Sequence, residues 1–218
     1  MRFLFVIIPA LILAWVLTTH PRSGPVEGID VSHWQGDVDW KTVRESGIDF
    51  VFLKSTEGLK GVDPSFMKHH DALKSLGMLH GAYHFLKPDV DGAEQARHFM
   101  TITKAAECDL LPVVDVETAG PRLPEVLRDY VAEIRRGLDV DPIIYVSPAF
   151  WNDNIAPHSS EAWPNILWIA EYGVRTPKAT SLIGPWRIWQ YTNAGHVPGV
   201  EGKVDRDRAR SIRDIRMP

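Results

Sequence analysis

Apolar residues fall along this chain in two rhythms. Short, nearly continuous apolar runs recur, Phe50-Val51-Phe52-Leu53 and Leu111-Pro112-Val113-Val114 among them, as expected of parallel strands buried on both faces. The pattern predicts eight strands, at 28–31, 49–54, 79–84, 110–117, 142–146, 166–170, 186–190 and 203–205. Between them the apolar spacing turns helical. Residues 39–46 stop at Gly47, and Pro64 opens a helix that ends at Gly77 with Phe66, Met67, Ala72, Leu73 and Leu76 on one stripe. Residues 91–106, 123–138 and 148–152 supply three more helices. After the sixth strand Pro177, Gly184, Pro185, Gly195, Pro198 and Gly199 mark loops instead. Residues 206–216 alternate basic and acidic side chains and are expected to form a solvated terminal helix, and His69-His70 to sit on the solvated face of the second helix.

Strand–helix alternation argues for a parallel sheet, and eight strands argue for closure. The expected architecture is α/β: a single modified TIM-like barrel with eight strands and about five helices, preceded by an apolar N-terminal segment. Residues 28–218 are fewer than the roughly 250 of a complete barrel of this kind. Missing helices in the last three units account for the shortfall.

The first residues are set apart. After Met1-Arg2, residues 3–17 are uncharged and apolar, broken only by Pro9. That run is shorter than the roughly 20 residues a spanning helix needs and matches a secretory h-region. Residues 18–24 contain no Ala-x-Ala, so a retained signal anchor is the rival reading of 1–20. Residues 21–27 read as a linker and 28–218 as the barrel. Either way the barrel is exported, periplasmic or secreted, and meets a membrane only through an uncleaved N-terminal segment.

Composition narrows the function classes. Of 218 residues 44% are hydrophobic and 24% charged, which excludes a disordered or fibrous chain. The net charge is −4 with no basic block before the C-terminal tail, which argues against a nucleic-acid binder. A lone Cys108 excludes an internal disulfide and a Cys-rich zinc site, and is read as a small buried hydrophobe. No G-x-S-x-G, Walker or G-x-G-x-x-G motif is present, and no H-x-H, H-x-x-x-H or H-E-x-x-H offers metal ligands from one element. No cofactor and no metal is expected, and the chain is expected to act as a monomer.

In a parallel barrel, catalytic side chains gather where strands end. Here those ends carry Asp30, Lys54, Tyr83-His84-Phe85, Asp115-Val116-Glu117, Tyr145, Trp168, Trp189-Gln190-Tyr191 and Asp205. Side chains two apart on a strand share a face, so Asp115 and Glu117 should enter one cavity. Two close carboxyls cannot both ionise cheaply there, so one stays protonated and can act as a general acid. That role goes to Glu117, and a charged, orienting role to Asp115. Tyr83, Phe85, Tyr145, Trp168, Trp189 and Tyr191, with Trp34, offer rings for sugar faces, and Lys54, His84 and Gln190 offer polar partners for hydroxyls. Trp151, Trp163 and Trp186 are assigned to packing.

Gly28-Ile29-Asp30-Val31-Ser32-His33-Trp34-Gln35-Gly36 resembles the opening motif of glycoside hydrolase family 25, the muramidases of the Chalaropsis lysozyme type. Phe52-Leu53-Lys54-Ser55-Thr56-Glu57-Gly58 and Gly81-Ala82-Tyr83-His84-Phe85 resemble its next two, and 112–117 its D-x-E strand. Ile144-Tyr145, Leu167-Trp168-Ile169-Ala170 and Ile188-Trp189-Gln190-Tyr191-Thr192 follow in order, so the likeness runs from Gly28 to about Asp207. It implies a barrel of eight strands and five helices that cleaves the β-1,4 bond between N-acetylmuramic acid and N-acetylglucosamine in peptidoglycan glycan strands. It also implies the acid role for Glu117 and active-site carboxylate roles for Asp115, Asp30 and Asp205. Two positions depart from it: Gly61, where the family usually has an aromatic residue or Leu, and Asp207, where Asn is frequent.

The expected mechanism is protonation of the glycosidic oxygen by Glu117 while the sugar's 2-acetamido oxygen attacks, oriented by Asp115. Direct attack by an enzyme carboxylate, or by water activated by Asp30 or Asp205, is the alternative. Two other classes compete: a non-catalytic peptidoglycan-binding barrel and a metal-dependent carbohydrate deacetylase.

Overall fold

The structure is a computed structural model that describes residues 24–158, 163, 166–178 and 186–218. The expected signal segment 1–20 lies outside these residues, and so do the first positions of the expected linker. Among the described residues nine strands occur in the order β1 (Val26–Val31), β2 (Phe50–Glu57), β3 (Gly61–Val62), β4 (Leu79–Phe85), β5 (Val113–Asp115), β6 (Ile143–Val146), β7 (Leu167–Ala170), β8 (Trp186–Gly195) and β9 (Val204–Ala209). Five α-helices among the described residues separate them: α1 (Trp40–Glu45), α2 (Phe66–Leu76), α3 (Gly92–Thr103), α4 (Leu123–Leu138) and α5 (Pro148–Asn154).

The sheet runs β1-β9-β8-β7-β6-β5-β4-β2, and β1 pairs with β2 to close it. Eight strands therefore form the barrel, and β3 is a hairpin extension of β2. Strand β1 begins at Val26, which is buried opposite Ala209, so the barrel starts two residues inside the expected linker.

Two expectations about the C-terminus are corrected. Residues 206–209 belong to strand β9, not to a helix, and only a single 3₁₀ turn follows at Ile212–Asp214. The period of two was hidden because the inward positions Asp205 and Asp207 are acids rather than apolar residues. The sheet is also not wholly parallel: β9 lies antiparallel to both β8 and β1. The stretch from 196 to 203 is too short for the crossover that a parallel pair requires, so the chain simply folds back.

Inside the barrel, below the mouth, Phe50, Phe52, Leu110, Val113, Ile143 and Ile188 form a closed apolar plug. A Cβ on Gly28 would stand 2.3 Å from the Phe50 ring, and one on Gly81 2.5 Å from that of Phe52. These two inward positions on β1 and β4 must be glycine for the rings to fill the floor. Burial of each ring contributes about 1.5–3 kcal/mol. A second core joins the outer sheet face to the helices, with six residues from α4 alone. His69 and His70 belong to this layer and are not solvated: Trp40 Nε1 donates to His69 Nδ1 at 3.2 Å, and His70 Nδ1 meets His80 Nε2 at 2.8 Å. Above this floor the barrel opens at the strands' C-terminal ends.

Candidate active site

A cavity of about 100 Å³ at that mouth is lined by Asp30, Tyr83, Val113, Asp115, Glu117, Tyr145, Trp168, Gln190 and Asp205. Eight of these nine are residues that the sequence places at strand ends as site candidates. Asp30 and Asp205 face each other in register across β1 and β9, and Asp115 is in register with Tyr145 on β6. Asp115 is the last residue of β5 and lies on the floor, 7% exposed, whereas Glu117 stands beyond the strand end, exposed at the rim.

Gln190 organises one wall. Its Nε2 donates to Asp30 Oδ2 at 2.8 Å, and its Oε1 accepts from the hydroxyls of Tyr145, at 2.9 Å, and Tyr172. The two phenols thereby fix the amide so that its donor end holds Asp30. Below this layer Asp207 is wholly buried; its Oδ1 accepts from Trp168 Nε1 at 3.0 Å, and its carboxyl also shares a hydrogen bond with that of Asp30. The Oδ1 of Asp115 has no hydrogen-bond partner among the described residues.

Five carboxyls thus converge, and all five bind their protons more tightly than usual. Burial raises Asp30 well above the carboxylate range, with the charge of Asp205 adding to it. Burial, then Glu117 and Asp30, raises Asp115 well above it. Burial followed by Asp205 raises Glu117, against the hydroxyl of Tyr145 and the charge of Lys54. Burial pushes Asp205 up to about 6, and burial with Asp30 raises Asp207 well above the usual value. Burial is the largest cause for both members of the D-x-E pair; the charge of Glu117 adds to it at Asp115 and that of Asp205 at Glu117.

The sign for stability follows. An Asp205 carboxyl that ionises near 3.8 in the unfolded chain and near 6 in the fold gives stability fully present below about pH 4 and lost as pH rises through about 6. Asp30, Asp115 and Asp207 act in the same direction. Asp63 opposes them in stronger acid, since bonds from Ser65 and His33 outweigh its burial and lower it. His84, lowered to about 4 by burial, and His69 and His70, also lowered by burial, oppose them nearer neutrality, since the stability they give is present above about pH 6.5 and lost as pH falls through their folded values. Asp207→Asn is therefore expected to raise the melting temperature more at pH 8 than at pH 5, because it removes one raised carboxyl and leaves the histidines as they are. Calorimetry of both proteins at both pH values checks this, and an equal shift at the two would contradict it.

Not every candidate reaches the cavity. His84 is buried on the outer sheet face, bonded to Thr56 Oγ1 at 2.8 Å and Gln95 Oε1 at 3.1 Å and stacked on Tyr130; burial lowers it to about 4. Trp189 and Tyr191 alternate with Gln190 and so point outward. The Trp189 indole donates to the Glu171 carbonyl at 2.7 Å, and the Tyr191 hydroxyl to Glu27 at 2.7 Å beneath Arg206 and Arg208. None of these three lines the cavity. Lys54 lies beside the mouth and not in its lining, with its ammonium over the Phe85 ring. Trp34 stands 81% exposed beyond β1. Tyr172 was missed, although an aromatic residue two positions past the end of β7 carries the same signal that singled out Tyr83 and Tyr145.

The family described as "Glycosyl hydrolases family 25" matches residues 29–200. An uncharacterized protein, YegX, of Escherichia coli K12 is 36% identical over 195 residues, covering 85% of this chain and 70% of that one. Lysozyme M1 of Streptomyces globisporus is 32% identical over 197 residues, covering 84% and 67%. The crystal structure of a bacterial lysozyme from Streptomyces coelicolor superposes with a TM-score of 0.77 at 28% identity, covering 87% of this chain and 94% of that one.

Proposed function

The chain belongs to the glycosyl hydrolases of family 25, and on that premise we propose that it is a peptidoglycan muramidase in which Glu117 is the general acid. The bond cut is the β-1,4 linkage that follows N-acetylmuramic acid. The observation that carries the reading is the D-x-E pair itself. Asp115 lies buried with Oδ1 unpartnered, and Glu117 stands accessible above it with a raised proton affinity.

The unpartnered oxygen suits an acetamido N–H. When the sugar binds, that donor stabilises ionised Asp115, and the shared proton resides on Glu117. Glu117 then protonates the glycosidic oxygen as positive charge develops at the anomeric carbon. The acetamido oxygen, aligned by Asp115, attacks that carbon. Water subsequently opens the bicyclic intermediate, with Glu117 now accepting the proton. Tyr83, Tyr145 and Trp168 supply the walls against which the ring packs, and Asp30 and Asp205 supply negative charge for the oxocarbenium-like centre.

Residues 28–218 are taken as the catalytic unit acting as a monomer, and export as the consequence of a substrate that lies outside the cytoplasm. No helix among the described residues is long and apolar enough to cross a membrane. Mass spectrometry of digested peptidoglycan is expected to show new muramic-acid reducing ends, at a rate unchanged by EDTA. New glucosamine ends would overturn the assignment. Loss of activity with chelator would favour the deacetylase class, and binding without cleavage a carbohydrate-binding barrel.

A further inference from the structure

Away from the mouth, on the sheet face that packs against the helices, three metal-ligating side chains meet. His70 on α2, His80 on β4 and Cys108, between α3 and β5, hold donor atoms within 4.8 Å of one another. Each imidazole is 2% exposed, and the thiol is half-buried. Hydrogen bonds fix the three elements against one another. The N–H groups of Asp109 and Leu110 both donate to the His80 carbonyl, at 2.9 and 3.2 Å, which ties the Cys108 segment to β4. Lys74 on α2 donates to Glu107 at 3.0 Å, and Glu107, at φ 48°, bends the chain just before Cys108. The same network sets the tautomers. His80 Nδ1 lies 2.9 Å from the Met78 carbonyl and 3.3 Å from Asp109 Oδ2, two acceptors, so it carries the proton and Nε2 presents a lone pair. His70 Nδ1 donates to that lone pair at 2.8 Å, and its other nitrogen stands 3.9 Å from Asp71 Oδ1. Each ring thus turns one nitrogen to the other ring and has an oxygen acceptor near its second, the arrangement by which metal-bound histidines are oriented.

We propose that His70, His80 and Cys108 form a zinc site on the outer wall of the barrel, with a solvent molecule as fourth ligand on the accessible side of the thiol. Two imidazoles and a thiolate are borderline-to-soft donors, which favour zinc over the hard cations magnesium and calcium. Bonds of about 2.0–2.3 Å place the donors of tetrahedral zinc roughly 3.3–3.6 Å apart. Side-chain movements of about 1 Å reach that spacing, opening the imidazole pair and drawing the sulfur in. On binding, the His70 proton passes from Nδ1 to Nε2, toward Asp71, and the thiol proton leaves to solvent, so one proton is released per ion. No spacing motif marks the site, because each ligand comes from a different element. His80 is the second residue of β4, at the end of the strand away from the mouth. The ion therefore joins α2, β4 and the segment before β5, and serves stability without touching the carboxyls of the active site.

The experiment strips the full chain and its Cys108→Ala variant with EDTA, removes the chelator, and adds zinc chloride, or cobalt chloride as a spectroscopic probe, with a non-chelating reductant present. The wild-type chain is expected to bind one zinc per chain by titration calorimetry. At zinc about a hundredfold above the Kd its melting temperature should rise by about 5–10 °C, while magnesium chloride at the same concentration gives no rise. With cobalt it should show a thiolate-to-metal charge-transfer band in the near ultraviolet. Cys108→Ala should lose that band and bind zinc at least about tenfold more weakly, with the hydrolytic rate of the stripped wild type. A wild-type chain without the cobalt band would overturn the proposal, even where Cys108→Ala does not fold. Zinc affinity and melting shift unchanged in Cys108→Ala would also overturn it, by placing the ion elsewhere, at the carboxyls of the mouth for example. So would an equal rise with magnesium.

Discussion

Glu117→Gln is expected to lower kcat on cell-wall polymer by about a thousandfold, within the hundred- to ten-thousandfold range of a positioned general acid. The amide keeps the volume and one oxygen of the carboxyl but has no transferable proton. Binding should survive, since the rings and the amide wall at Tyr83, Tyr145, Trp168 and Gln190 are untouched, so KM should stay within a few-fold. The fold should lose nothing. Glu117 holds its proton more tightly than a free glutamate because of burial and Asp205, so its ionised form is a net cost to the folded protein at neutral pH. A neutral side chain removes that cost, and the melting temperature at pH 7 should equal or exceed that of the wild type. Activity and stability moving in opposite directions is the signature of a residue kept for chemistry. A variant that clears purified wall at the wild-type rate would refute the acid assignment.

How far the sequence alone reached can be judged residue by residue. The plug-forming runs and helix boundaries were readable because an apolar periodicity and its punctuation repeat in each unit. Asp30, Asp115, Glu117 and Asp205 were readable because the end of a barrel strand is a geometric place that a sequence marks. The strand β9 was not, since its inward side chains are acids and its period of two carried no apolar signal. His84, Trp189 and Tyr191 fail for a related reason. Each neighbours a true lining residue, and a one-residue step on a strand reverses the face. Motif proximity could not separate Tyr83 from His84 or Gln190 from its flanking aromatics; only the register of the closed sheet does. The proton distribution was the least readable feature. It depends on Asp205, which is 88 residues further along the chain than Glu117 and meets it only because the barrel closes.

Asp115→Asn is expected to lower kcat by about a hundredfold or more with KM nearly unchanged, because the lost interaction strengthens as the transition state forms. In the free protein burial holds the Asp115 carboxyl well above the usual carboxylate range and its Oδ1 has no hydrogen-bond partner, so the substitution costs little before substrate binds. With substrate in place, the ionised carboxylate would polarise the acetamido N–H and favour attack by its oxygen. An amide offers only a neutral acceptor and can turn its own N–H₂ toward the same donor. The stereochemistry of the first product distinguishes this route from its inverting rival. Attack by the acetamido oxygen followed by water is a double displacement and releases the β-anomer, which proton NMR of a fresh digest detects before mutarotation. Direct attack by water held at Asp30 or Asp205 releases the α-anomer and makes those residues, not Asp115, the sensitive positions. Retention together with a steep loss in Asp115→Asn supports an assisting substrate. Inversion, or a variant with wild-type kcat, would return Asp115 to a structural role on the floor of the mouth.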